Sequence, residues 1–264
     1  MTVNSRKQDG GEGSVKTVTV KGIEIGDGQP KVCVPIIAAT KQDILEMGKR
    51  LNNSNADIIE WRADCYSEVR NLQKTIEVLK DLREVLPEKP LIFTFRTIVE
   101  GGKAHLSNTE YYALNCEAAN YADVVDVEII RDEASASMLI AEIKDKGAFV
   151  LGSNHDFSET PEVKEIVFRL CEMQDLGADI VKLAAMPNTP ADVITMLTAT
   201  EEMQSQYAMV PFVTMSMGAL GKITRVAGET FGSAITFAAL DGQASAPGQM
   251  SLEDVKASLA MLHN

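Results

Sequence analysis

The chain has 264 residues, 45% of them hydrophobic, with 38 acidic against 25 basic side chains and a formal net charge of −13 at pH 7. That length and apolar content suit a large α/β domain with a substantial core and exclude disorder as the overall state. The acidic excess argues against a nucleic-acid partner, because such affinity comes mainly from Lys and Arg displacing counterions.

Residues 1–14 (MTVNSRKQDGGEGS) lack the apolar region of a secretory signal and are expected to form a flexible tail ahead of one domain, residues 15–264. Residues 17–29 alternate apolar and polar around Lys21-Gly22, which predicts a small β-hairpin. Val32–Ile37 then reads as a buried strand, and Thr40 as the cap of a helix running to Leu51. The alternation repeats: strand Asp57–Arg62 and helix Val69–Leu86, strand Leu91–Arg96 and helix Thr109–Asn120, strand Val124–Ile129 and helix Glu133–Lys146. In the second half, strand Ala148–Gly152 precedes a helix Pro161–Leu176 capped by Thr160, and Ile180–Ala184 precedes Pro190–Gln204. Strand Val210–Met215 leads to a short helix near Leu220–Ala227, and Ala234–Leu240 leads to Ser251–Leu262.

Eight strand–helix pairs of this kind predict a (β/α)8 TIM barrel, with the hairpin capping its N-terminal end. A doubly wound open sheet is the alternative, since periodicity does not reveal closure. No apolar run approaches the roughly 18 residues that cross a bilayer, so no membrane partner is expected. The cysteines at 33, 65, 116 and 171 form no CxxC pair and read as reduced thiols of a cytoplasmic protein.

In a closed barrel the reactive groups sit at the carboxyl ends of the strands. Glu60 and Arg62 share a face of their strand, and Arg96 ends the next, followed by Glu100-Gly-Gly. These charges make either an ion-pair cluster tying strands together or a site for an oxygen-rich small molecule, which guanidinium groups grip bidentately. His155 follows the fifth strand, where an imidazole is placed for proton transfer; the alternative is a structural histidine. Lys182 is the one charge in Ile180–Met186. Burial there lowers an amine's pKa and frees it to attack a carbonyl, which predicts a Schiff base, unless the side chain snorkels to water. Met215 and Met217 read by default as core filler. Lys222 does not complete a nucleotide-binding loop, because Ile223 stands where Ser or Thr is needed. The small, polar loop Asp241–Gln249 has the composition of a closing lid or of a plain surface loop.

Taken together, Val34-Pro-Ile, Glu60-Trp-Arg62, Phe93-Thr-Phe-Arg96, Val125-Asp-Val-Glu128, Asn154-His-Asp-Phe157, Gly177–Lys182, Met215-Ser-Met217, Phe231–Ala234 and Ser245–Gln249 resemble the type I 3-dehydroquinate dehydratase family. The resemblance implies a (β/α)8 barrel, commonly a homodimer, that dehydrates 3-dehydroquinate to 3-dehydroshikimate without metal or organic cofactor. It implies that Lys182 forms the imine, that His155 moves the protons and that Glu100 orients His155. Glu60, Arg62, Arg96, Arg225, Ser245 and Gln249 match substrate-binding residues of the family, and Met217 and Phe237 match apolar wall residues. Asn154 departs from the tyrosine often found before the histidine. Two other readings remain open here. A class I Schiff-base aldolase would need a phosphate site and would act on phosphorylated ketones. A noncatalytic binding barrel would have no use for Lys182 together with His155.

Overall fold

The structure, a computed structural model, describes residues 15–129, 133–240, 242 and 244–263. The tail expected at 1–14, together with Asp241 and Gln243 of the expected lid, lies outside these described residues. Strands β1 (Val18–Val20) and β2 (Ile23–Ile25) form the antiparallel hairpin. Its two turn residues, Lys21 and Gly22, both have positive φ, 45° and 77°, as the tight hairpin turn demands.

The barrel strands are β3 (Lys31–Ile36), β4 (Ile58–Arg62), β5 (Leu91–Thr94), β6 (Val124–Glu128), β7 (Phe149–Asp156), β8 (Ile180–Ala185), β9 (Phe212–Ser216) and β10 (Ile235–Phe237). All the ladders are parallel, in the order β10-β3-β4-β5-β6-β7-β8-β9. The two ends of that order meet just ahead of β10, where the Ala234 N–H donates to the Phe212 carbonyl at 2.8 Å. Helices α1 (Lys41–Asn52), α2 (Leu72–Val85), α3 (Asn108–Ala118), α4 (Glu133–Asp145), α5 (Val163–Asp175) and α6 (Pro190–Glu202) each follow a strand. Two short helices, α7 (Lys222–Val226) and α8 (Gly228–Phe231), follow β9, and α9 (Leu252–Leu262) follows β10. The result is a (β/α)8 TIM barrel.

Side-chain alternation along the strands divides the molecule into two apolar cores and one polar layer. Outward-facing residues pack against the helices, with Trp61 and Phe93 meeting edge to face at 5.6 Å. Inward, each strand gives one residue to a bottom layer, Cys33, Ile58, Ile92, Val124, Leu151, Ile180, Val213 and Ile235, onto which Val18, Val20 and Ile25 of the hairpin pack. Two residues further along the same faces come Glu60, Thr94, Asp126, Ser153, Lys182, Met215 and Phe237, all buried. The hydrophobic floor therefore carries a polar storey, and the site stands on it.

Several expected boundaries differ from those observed, and three of the differences have a visible physical cause. Strand β7 continues past Gly152 to Asp156, because its polar end faces the barrel mouth, where composition no longer marks a strand. Helix α5 begins at Val163, not Pro161; Thr160 donates its hydroxyl to the Met186 carbonyl at 3.1 Å and so does not cap. Helix α2 begins at Leu72, where the Asn71 side chain accepts from the Lys74 N–H, three residues later than expected.

Candidate active site

A pocket of about 470 Å³ opens at the carboxyl ends of the strands. Its walls bring together Glu60, Arg62, Arg96, Glu100, His155, Lys182, Met217, Phe237, Ser245 and Gln249. Of the candidate catalytic and substrate-binding residues named from sequence, only Arg225 is not part of that wall. Gly101, Phe157, Ala184, Met215 and Ala246 complete it. Phe157 and Met215 were not expected there; both lie in the family-like segments, and for Met215 the in-phase position two residues before Met217 was the available signal.

Lys182 rises from the middle of β8 and is 5% exposed. Its Nζ stands 4.0 Å from the centre of the Phe237 ring. Burial pulls its pKa below the ordinary lysine range, while the carboxylates of Glu60 and Asp126 pull the other way. Glu60 is fixed by the Thr94 hydroxyl, which donates to it at 2.9 Å.

His155 faces Glu100, with 2.9 Å between Nδ1 and Oε2. The same Oε2 accepts the His155 backbone N–H at 3.0 Å, and Oε1 accepts the Asn154 amide at 3.2 Å. When Glu100 is ionised both of its oxygens accept, which puts the imidazole proton on Nδ1 and leaves Nε2 as the free base. Burial, helped by the cations Arg96, Lys182 and Arg62, holds the imidazole pKa well below its usual value, so the ring is neutral near pH 7. Burial and the neighbouring Glu128 push the Glu100 carboxyl up to about 8, against Arg96 and the Asn154 amide.

Glu100 closes a single 3-10 turn, Ile98–Glu100, and reaches His155 only because the chain folds back sharply after it. Gly101 has φ 85°, and the Gly102 N–H bonds to the Thr97 carbonyl at 2.7 Å. A Cβ on Gly102 would overlap the Arg96 carbonyl, so the Glu-Gly-Gly sequence is a steric requirement of this turn. Two buried carboxylates hold its ends. Asp64 accepts the backbone N–H groups of Arg96 and Lys103, at 3.2 and 3.0 Å, and Glu128 accepts the Thr97 N–H at 2.8 Å.

For Arg62 and Arg96 the structure shows the ion-pair cluster. Arg62 makes two bonds to Asp64, at 2.8 and 2.9 Å. Arg96 bonds to Asp126 at 2.7 Å, to Glu128 at 3.1 Å and to the Ser153 hydroxyl at 2.9 Å. Burial opposes its charge, but Asp126, Glu128 and Glu100 outweigh burial and push its pKa up. Asp64, Asp126 and Glu128 were not singled out in advance, although each lies in phase with an inward residue two positions earlier.

Arg225 is 1% exposed and directs one guanidinium nitrogen at Met215 Sδ and the Phe237 carbonyl, both at 3.5 Å, and the other at the Pro247 carbonyl at 3.2 Å. Its buried Nε has no hydrogen-bond partner, and burial lowers its pKa to about 10. It therefore stands just behind the wall formed by Met215 and Phe237, a buried cation bonded only to neutral acceptors.

Of the expected lid, Ser245, Ala246 and Gln249 line the pocket. Gln249 accepts the Ser245 N–H at 2.8 Å and donates to the Ser245 hydroxyl at 3.0 Å, while the Gly218 N–H donates to the Pro247 carbonyl at 3.0 Å. Gly248, at φ 79°, passes so close to the Gly218 backbone that a Cβ would collide with it. Among the described residues, no group of three or more His, Cys, Asp or Glu side chains is placed to hold a metal ion, and no helix is long and apolar enough to cross a membrane.

The pattern that defines the type I 3-dehydroquinases matches residues 32–264. The chain belongs to the type I 3-dehydroquinase family. A 3-dehydroquinate dehydratase of Clostridium novyi is 43% identical over 252 residues, 95% of this chain and 99% of the relative. The type I 3-dehydroquinate dehydratase structure from Clostridium difficile is 45% identical, with a TM-score of 0.91 over 94% of this chain and 98% of its own. The Enterococcus faecalis structure is 40% identical, with a TM-score of 0.88 over 94% and 100% of the two chains. As a type I 3-dehydroquinase the protein is a hydro-lyase acting on 3-dehydroquinate, and the aldolase and noncatalytic readings fall away.

Proposed function

We propose that Lys182 is the imine-forming residue of this dehydratase and His155 its acid–base group. The observation carrying this is the single pocket wall that holds a buried amine of lowered pKa and a neutral imidazole with Nε2 free. Neutral Lys182 adds to the substrate ketone and, with loss of water and uptake of one proton from solvent that the final hydrolysis returns, gives an iminium. Nε2 of His155 then takes a proton from the adjacent carbon, and the electron pair moves into the iminium to form an enamine. As the enamine collapses it expels the β-hydroxyl, which receives a proton from the imidazolium and leaves as water. Hydrolysis of the remaining iminium releases 3-dehydroshikimate and returns the amine. Ionised Glu100 accepts the hydrogen bond from Nδ1–H throughout and offsets the imidazolium charge.

Around this pair, Glu60, Arg62 and Arg96 offer bonds to the substrate hydroxyls, and Ser245 and Gln249 close over them. Met217 and Phe237 pack on the ring, and Arg225 meets the carboxylate through rearrangement of its wall. The single domain of residues 15–264 carries the activity. On the family resemblance it works as a homodimer in the cytoplasm, which light scattering and fractionation test. The deciding experiment is mass spectrometry after borohydride reduction with 3-dehydroquinate: the adduct is expected on Lys182, and an adduct on another lysine overturns the assignment.

A further inference from the structure

Helix α5 lies outside the pocket, yet it reaches the Glu100–His155 pair through one side chain. Arg169 of α5 donates to Asn154 Oδ1 at 3.2 Å. Arg169 is itself held by Glu165 at 2.7 Å, one turn earlier, and lies 3.8 Å from Asp156. With Oδ1 so engaged, the Asn154 amide can present only its NH2 to Glu100, which it does at 3.2 Å. A flipped amide would set a carbonyl oxygen against the carboxylate and face the guanidinium with a donor, so Arg169 fixes the amide's orientation. We propose that Arg169 and Asn154 form a positioning relay that favours the ionised form of Glu100 and aims it at His155. The inference rests on the acid–base role proposed above for His155.

The electrostatics around Glu100 show why such a donor is needed. From β6, Glu128 and Asp126 oppose its charge; from the end of β5, Arg96 supports it, but at 3.5 Å and shared with Asp126 and Glu128. From β7 come the His155 ring and backbone N–H and the Asn154 amide. Asn154 is therefore the donor to Oε1 that is not split among several carboxylates. A hydrogen bond to the charged form lowers a carboxyl pKa, so removing this one raises that of Glu100. Activity that needs the carboxylate is lost as pH falls through that pKa. The acid limb of the rate profile must then move to higher pH when the relay is cut.

The test is the pH dependence of kcat and kcat/KM for Asn154→Ala, Arg169→Met and Arg169→Lys, with thermal unfolding run on each. Asn154→Ala is expected to shift the acid limb upward by about one pH unit, the scale of one hydrogen bond to a charged group. Above the shifted limb its rate should recover to within a few-fold of wild type. Arg169→Met should shift the limb in the same direction by less, and Arg169→Lys, which keeps a donor for Oδ1, should restore it. A uniform fall in rate at all pH values, with no displacement of the limb, overturns the relay, as does an unchanged profile in both Asn154→Ala and Arg169→Met. Failure of the underlying reading looks different: His155→Ala would keep wild-type turnover, and the relay would fall with it.

Discussion

If Arg225 binds the substrate carboxylate as proposed, stability and binding oppose each other at this residue. Its guanidinium is 1% exposed, with an Nε lacking any partner, and burial drops its pKa from 12.5 to about 10. At 1.36 kcal/mol per unit, holding that charge in the unliganded fold costs about 3 kcal/mol. Replacing it with Met, similar in length but uncharged, removes this cost. It also removes the bond to the Pro247 carbonyl, worth about 1 kcal/mol, although that carbonyl still accepts the Gly218 N–H. The ligand-free Arg225→Met variant is therefore expected to be more stable by about 1–2 kcal/mol, a Tm rise of a few degrees. Binding should move the other way. Truncating one partner of a buried charged hydrogen bond costs about 2–5 kcal/mol, so KM should rise by about 30-fold or more. Steady-state kinetics and thermal unfolding, with and without substrate, measure both halves. If Arg225→Met unfolds at a lower temperature while KM is unchanged, the guanidinium is a structural strut and the reasoning is refuted.

Lys182→Ala should abolish both turnover and borohydride trapping, read by mass spectrometry, because within the pocket wall no other lysine is present. His155→Ala should lower kcat by about 100-fold to 10,000-fold and accumulate the covalent adduct, visible in a quenched time course. Gln249→Ala breaks the ring of bonds with Ser245 and should raise KM by about 2-fold to 10-fold with little change in Tm, measured by kinetics and calorimetry. Gly102→Ala forces a Cβ into the Arg96 carbonyl, displaces Glu100 and should depress kcat in protein that circular dichroism shows to be folded.

Much of this architecture was legible because parallel barrel strands are buried on both faces and write themselves as apolar runs. Cys33 to Ile36 and Ile180 to Ala185 are examples, and the lysine within the second stands out by contrast. The end of β7 was illegible for the opposite reason: Ser153, Asn154 and His155 satisfy their polar groups through partners distant in sequence. Ser153 bonds Arg96 and Asp126, and Asn154 bonds Glu100 and Arg169. Thr160-Pro161 carried a sound local helix-start signal that a tertiary bond to Met186 overrode. The partners of Arg62 and Arg96 were hidden too, since a charge pattern shows that ions gather but not which of them neutralise one another.

The hairpin at the N-terminal end gives the reaction a one-door chamber. Val18, Val20 and Ile25 lie on eight apolar side chains that fill the barrel beneath Lys182, so solvent has no route to the amine from below. Water released when the imine forms, water expelled from the substrate and water needed for hydrolysis all share the opening that the 245–249 segment spans. If the segment closes over bound substrate as proposed, it must part at least once between iminium and free product, and an oxygen atom lost from the ketone is then diluted into bulk solvent before the final hydrolysis. Isotopic oxygen supplied in the solvent should thus appear in the product ketone at the full enrichment of the medium, a signature that a floor open to water would not distinguish but a trapped internal water would reduce.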